Sequence, residues 1–274
     1  MAKVTPDKPM YRMPVSFGPT PGPRQAPEGG PFSDLQASRR RSATVTFRSE
    51  ADQLTALMPP GFNLHGDPLV TIETHRLSNL HWLAGRGYNL LTVKIPAEFT
   101  GKRDRTQGPL MVVMWEDLPD AILSGREELG YNKLYCELPE PRVLKGREHH
   151  AATWLGHKFF DMWVEPIEEV SLDHPAAPSI DGVMHYKYIP KTGDWGVAET
   201  AYAAITPPVP GALRVLRKWN CSGSVEFLKS TWEELPTQYH VINRLADLKN
   251  LEIVSASMSE AEGSTDLSEQ KQLL

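Results

Sequence analysis

The sequence predicts a mainly β protein with a few short helices, and three observations carry that prediction. Short β-branched or alternating runs recur through the middle of the chain, Gly and Pro punctuate them, and helical patterning is confined to brief segments. With 274 residues, 40% of them apolar and 23% charged, the chain can bury a full core, which excludes a disordered chain, a collagen or a coiled coil.

The elements follow in order. Eight of the 24 prolines fall between Pro6 and Pro31, with Gly18, Gly22, Gly29 and Gly30 among them. Proline fixes φ and removes an amide donor, so neither helix nor central strand is expected there, and residues 1–35 read as an extended arm. Such an arm either lies on a partner subunit or is mobile. Strands are expected at 43–47 (ATVTF), 69–74 (LVTIET), 90–95 (LLTVKI) and 110–115 (LMVVMW), and again at 151–164, 183–189 and 201–206. Two helices stand between them: 49–58, where Ser49 can cap with Asp52 three residues on, and 120–129, opened by Asp120 after Pro119 and closed by Gly130. In 239–258 the second half, LEIVSAS, reads as a strand and the first half as either helix or strand. Residues 259–274 are polar and aromatic-free and read as a solvated tail. One domain, 36–258, lies between the two ends.

Charge and motifs remove several function classes. A net charge of -5 gives no electrostatic reason to seek nucleic acid or an anionic membrane. No signal-peptide h-region and no run of 18 uncharged apolar residues occurs, and Cys136 and Cys221 make no disulfide framework, so a cytoplasmic protein is expected. GxGxxG, the P-loop and HExxH are absent, and CSGS at 221–224 is not a nucleophile elbow. Neither the adjacent His149 and His150 nor Glu73, His75 and His81 have the spacing of a metal site, so no metal and no cofactor is expected. Trp115, Trp154, Trp163 and Trp219 lie in or beside strand runs and read as core or interface.

The most informative segment is DAILSGREELGYNKLYCELP, residues 120–139. A short helix ends at Gly130, Tyr131 and Asn132 follow, and Lys133 opens an apolar stretch. A lysine held against apolar side chains is desolvated, which disfavours the ammonium and leaves a nucleophilic amine that can form a Schiff base with a carbonyl compound.

GREELGYNK resembles the active-site segment of the acetoacetate decarboxylase family, in which GRE opens a short helix and a Schiff-base lysine follows at the position of Lys133. FRSEADQLTALMPPGF (47–62), DPLVTIE (67–73), GYNLLTVKIP, PLMVVMWEDLPDAILSGRE, KYIPKTGDWGVAETAYAAIT and WNCSGSVEF follow in the family's order, so the resemblance covers about residues 38–255. It implies a closed antiparallel β-barrel assembled as a homo-oligomer, with Lys133 as nucleophile, Glu73 as the acid or base beside it, and Arg40 as a cation that binds a carboxylate or positions a loop. Tyr131, Leu90 and Leu134 are expected to line the substrate pocket. Three positions depart from the family: Leu134 stands for a second lysine, Leu90 for a second glutamate, and Asn132 for a proline.

The expected function is that of a Schiff-base lyase acting on a small keto acid, a decarboxylase of β-keto acids. Aldol condensation with dehydration through the same lysine is the alternative enzyme reading, and a non-catalytic binding protein on the same fold is the third.

Overall fold

The computed structural model describes residues 9–30, 38–172, 181–264, 267 and 269–274. The expected arm lies outside the described residues at 1–8 and 31–35, and the expected tail at 265, 266 and 268.

Every expected strand is present and most are longer than the apolar runs that signalled them. In chain order they are β1 (Arg39–Arg48), β2 (Phe62–Leu64), β3 (Leu69–Ser78), β4 (Tyr88–Thr100), β5 (Arg105–Glu116), β6 (Lys133–Tyr135) and β7 (Arg142–Leu144). The run 151–164 becomes a hairpin of β8 (Arg147–Trp154) and β9 (His157–Glu169), turning at Leu155 and Gly156, both with positive φ. β10 (Val183–Pro190), β11 (Ala198–Thr206), β12 (Leu213–Phe227), β13 (Glu252–Gly263) and β14 (Lys271–Gln272) complete the set.

Hydrogen bonding orders the sheet β14-β11-β10-β5-β4-β3-β1-β13-β12-β9-β8-β7, with β2 on β4 and β6 on β5. The barrel expected from the resemblance is therefore not closed: the sheet has two ends, and no ladder joins β14 to β7 among the described residues. Both end strands are very short, and β7 is exposed along its length, with Arg142 turned to His149 of β8. Short, charged edges resist further pairing. Nor is the sheet wholly antiparallel, since β5 runs parallel to both β6 and β10. An isolated bridge, Glu137↔Thr153, links the chain after β6 to β8.

The sheet wraps one main core. Val45, Ile72, Leu91, Val93, Val113 and Trp115 from one half meet Ala152, Phe160, Met162, Val164 and Met258 from the other. Trp115 is fully buried, and its indole Nε1 donates to Gln238 Oε1 at 2.7 Å. The Gln238 amide in turn donates to the carbonyl of Tyr135 at 2.9 Å, fastening β6 to the segment before α3.

The helices are shorter than their sequence signals. α1 covers Ala51–Thr55 with Glu50 at its N-cap and no side-chain cap bond, so Ser49 does not cap it; its hydroxyl is buried without a hydrogen-bond partner among the described residues. The expected helix at 120–129 divides into α2 (Pro119–Ser124) and a π-turn at Gly125–Leu129. The undecided 239–250 stretch contains α3 (Tyr239–Ala246), whose Ile242 and Leu245 enter the core.

The two ends also differ from expectation. Within the arm, Val15–Phe17 forms a 3-10 turn, Gly22 bridges Gln25, and Arg12 pairs with Glu128 at 2.5 Å. The solvated tail is corrected: β13 runs on to Gly263, and Leu273 is buried beside Phe62, Phe99 and Met184. One apolar side chain with a matching cleft outweighs a polar composition.

Candidate active site

Alternation divides β3 to β6 between two faces. Ile72, Leu91, Val93, Val113 and Trp115 enter the main core, so their neighbours Glu73, Leu90, Thr92, Lys94, Met114 and Glu116 turn the other way. Register aligns them further: Glu73 pairs with Thr92, Thr92 with Met114, and Met114 with Lys133. A bulge in β5 between the partners of Val93 and Lys94 turns Met111 onto this face as well, where it packs with Leu90 and Met114.

Lys133 is held from both sides. Gly130, at φ 79°, ends the π-turn; the amide of Tyr131 donates to Gly125 O at 2.9 Å, and Arg126 Nη1 donates to Lys133 O at 2.8 Å. Only 6% of Lys133 is exposed. Its Nζ donates to the carbonyl of Ala121 at 3.0 Å, lies 2.8 Å from Glu116 Oε1 and stands 5.7 Å from the centre of the Tyr131 ring. The amine fits because residue 125 has no side chain: a Cβ there would come 2.5 Å from Nζ.

Glu116 is fully buried, and neither of its oxygens accepts a further hydrogen bond among the described residues. Burial raises its pKa above the ordinary glutamate value, against the opposing pull of the Lys133 cation. Around the pair, burial raises Tyr88, and it pushes Tyr131 up to about 12 although the Tyr131 hydroxyl shares a 2.5 Å hydrogen bond with Thr206 Oγ1. The ring of His185 lies 4.2 Å from that of Tyr131; burial lowers its pKa to about 4, and its Nε2 donates to Leu129 O at 3.0 Å.

A second polar nest occupies the same face. Glu73 Oε2 accepts from Lys94 Nζ at 2.5 Å, Thr92 Oγ1 at 3.1 Å and His75 Nε2 at 3.2 Å, while His75 Nδ1 lies 2.7 Å from Ser42 Oγ. Burial pushes the Glu73 carboxyl up, but Lys94 and His75 outweigh it and hold the group well below the usual range. Arg40 feels the charge of Glu73; burial lowers its pKa, and its Nε is buried without a hydrogen-bond partner among the described residues.

The structure thus groups Lys133 and Tyr131 at one end of the face and Glu73 with Arg40 at the other, with Leu90 on β4 between them, paired with His75 on one side and Glu116 on the other. The carboxylate in contact with Lys133 is Glu116, and Glu73 lies three strands away, roughly 14 Å between Cα atoms at about 4.8 Å per strand. Leu134 does not line this face: as the next residue in β6 it points oppositely and packs on the main core. Sequence reasoning passed over Glu116 and Lys94. A glutamate two residues beyond Met114, at the end of an apolar strand run, was the available signal, and the strand pairing that makes it meaningful is not readable from the run itself. Among the described residues, no group of three His, Cys, Asp or Glu side chains has metal-binding geometry.

The family described as acetoacetate decarboxylase matches residues 12–271. The acetoacetate decarboxylase of Clostridium botulinum is 28% identical over 113 residues, 39% of this chain; the match spans less than half of that protein, 44%. Among solved structures, acetoacetate decarboxylase from Legionella pneumophila superposes with a TM-score of 0.67 at 18% identity, covering 87% of each chain. The enduracididine biosynthesis enzyme MppR, complexed with the condensation product of pyruvate and imidazole 4-carboxaldehyde, gives 0.66 at 15% identity over 97% of each chain. At these identities the structural likeness is one of fold.

Proposed function

We propose that this chain, which belongs to the acetoacetate decarboxylase family, is a carbon–carbon lyase that captures a small keto acid on Lys133 and releases carbon dioxide from a β-keto acid. The observation that carries this reading is a lysine amine withdrawn from water on a short, clamped strand, bordered by an apolar patch of Leu90, Met111 and Met114.

The neutral amine of Lys133 attacks the ketone, and loss of water gives an iminium ion. That cation accepts the electron pair of the breaking bond to the carboxylate carbon, giving carbon dioxide and a neutral enamine. The enamine carbon takes a proton from water, and hydrolysis returns the ketone product and the lysine. Arg40 stands with Glu73 at the other end of this face, where its charge supports that carboxylate, and it does not reach the carboxylate of a β-keto acid held on Lys133. Glu73 is held ionised by Lys94 and His75, which suits it to accept a hydrogen bond from water rather than to act as an acid near neutral pH.

The apolar patch beside Lys133 favours one second reading, condensation of a bound keto acid with an aldehyde, in line with the product held by the similar MppR structure. Borohydride reduction during turnover, followed by peptide mapping, tests both. With acetoacetate, a reduced adduct on Lys133 and gas evolution are expected; Lys133→Met is expected to give no adduct and a rate lower by on the order of 10⁶. Pyruvate with imidazole 4-carboxaldehyde giving a new unsaturated keto-acid absorbance, without gas from acetoacetate, would select condensation. Turnover without an adduct on Lys133 overturns the lysine mechanism.

A further inference from the structure

We infer that Glu116 is the group that moves protons at the Lys133 nitrogen as the imine forms and breaks, a second catalytic residue of this site. The inference rests on the reading of Lys133 as the nucleophile and adds to it. Four observations converge on Glu116. Its Oε1 is 2.8 Å from the reacting nitrogen, within reach of direct proton transfer. It is fully buried, so water does not compete for the proton. Its oxygens have no other hydrogen-bond partner among the described residues, whereas a purely structural buried carboxylate is ordinarily surrounded by donors. Its cross-strand partner in β4 is Leu90, so an apolar wall and a carboxylate stand side by side above the amine.

The proton balance closes with these two side chains and the substrate. In the resting pair the ammonium of Lys133 faces the carboxylate of Glu116. Transfer of one proton gives a neutral amine and a carboxylic acid, and the amine attacks the ketone. Glu116 then returns its proton to the departing hydroxyl of the carbinolamine, which leaves as water; the net change is ammonium plus ketone to iminium plus water. The regenerated carboxylate faces the iminium cation while the carbon–carbon bond breaks, and hydrolysis runs the same transfers in reverse. Burial of Glu116 brings its basicity closer to what such an exchange requires. The titratable groups facing Glu116 are Lys133 on β6, Tyr88 on β4, Tyr131 in the turn before β6, and Asp117 and Cys136 along the chain that flanks β5 and β6. Glu73 takes no part in this exchange, being bound to Lys94.

The test is the rate of imine formation in a single turnover with acetoacetate, quenched with borohydride and quantified on the Lys133 peptide, across a range of pH. In Glu116→Gln the adduct still forms on Lys133 but about 10²- to 10⁴-fold more slowly, and the acidic limb of the pH profile is lost. Glu116→Asp, which keeps the carboxyl but withdraws it by one methylene, gives an intermediate rate and retains the limb; it decides the matter if the Gln variant does not fold. Imine formation as fast as wild type, with the wild-type pH profile, in either variant overturns the role of Glu116. No adduct in the wild-type protein overturns the underlying lysine reading instead, so the two failures are distinct.

Discussion

Two lysine–glutamate pairs share one face of the sheet, and their carboxylates are driven in opposite directions. Glu73 sits at a half-buried position and receives Lys94, His75 and Thr92, which hold it ionised. Glu116 is sealed from water and, among the described residues, has only the Lys133 cation as a partner, so burial prevails and its pKa rises. The difference teaches that the number of donors around a carboxylate, rather than the presence of a lysine, decides whether the pair is a fixed charge or an exchangeable proton. Lys94–Glu73 fits the first description and Lys133–Glu116 the second.

The largest expected effect sharpens that contrast through stability. Lys133→Met strands Glu116 without its cation and should cost about 3–5 kcal/mol in denaturant unfolding, most of it recovered when Glu116→Leu is added. Lys94→Met leaves Glu73 its hydrogen bonds from His75 and Thr92 and should cost only about 1–2 kcal/mol. Equal losses at the two sites would erase the distinction.

A smaller effect separates position from stability. Gly125→Ala puts a methyl group where the Lys133 side chain now lies, and the backbone there, at φ −65°, tolerates alanine. The flexible end of the lysine can yield, so unfolding should change little, while displacement of the amine by about 1 Å should lower kcat by about 10²-fold. An unchanged kcat would mean that the position of Nζ does not matter.

The smallest effect is a difference in pH dependence. Glu73, with its folded pKa below the ordinary 4.5, contributes stability that is present above 4.5 and lost as the pH falls through its folded value. Glu116, with its folded pKa above 4.5, contributes stability that is present below 4.5 and lost as the pH rises through its folded value. Subtracting the unfolding curves of Glu73→Gln and Glu116→Gln from wild type should therefore give slopes of opposite sign, neither exceeding about 1.4 kcal/mol per pH unit. Slopes of the same sign would contradict the assigned environments.

Much of the fold was legible because period-two runs such as 90–95 record burial directly: Leu91, Val93 and Ile95 are the core face of β4. The family motif singled out Lys133, which is buried in the structure and whose role is the one proposed above. What the sequence concealed depends on pairing. The β5 bulge that brings Met111 and Met114 onto one face, and the register that sets Glu116 opposite Leu90, arise between strands and leave little trace within either. The docking of Leu273 was hidden for the same reason, because its cleft is built from Phe62, Phe99 and Met184, far away in the chain. Leu134 shows the converse: its outward turn from Lys133 followed from strand alternation alone once β6 was known to be a strand.

Gln238 ties the indole of Trp115 to the carbonyl of Tyr135 from the core side of β5 and β6. Nothing in that fastening involves Leu90, Met111, Met114 or Glu116. Substitutions of Leu90, Met111 or Met114 change the apolar side chains on that face while leaving untouched the seam that keeps the strand of Lys133 in place. Descendants of this chain are thereby free to diversify on one side of two strands and to conserve foldability on the other.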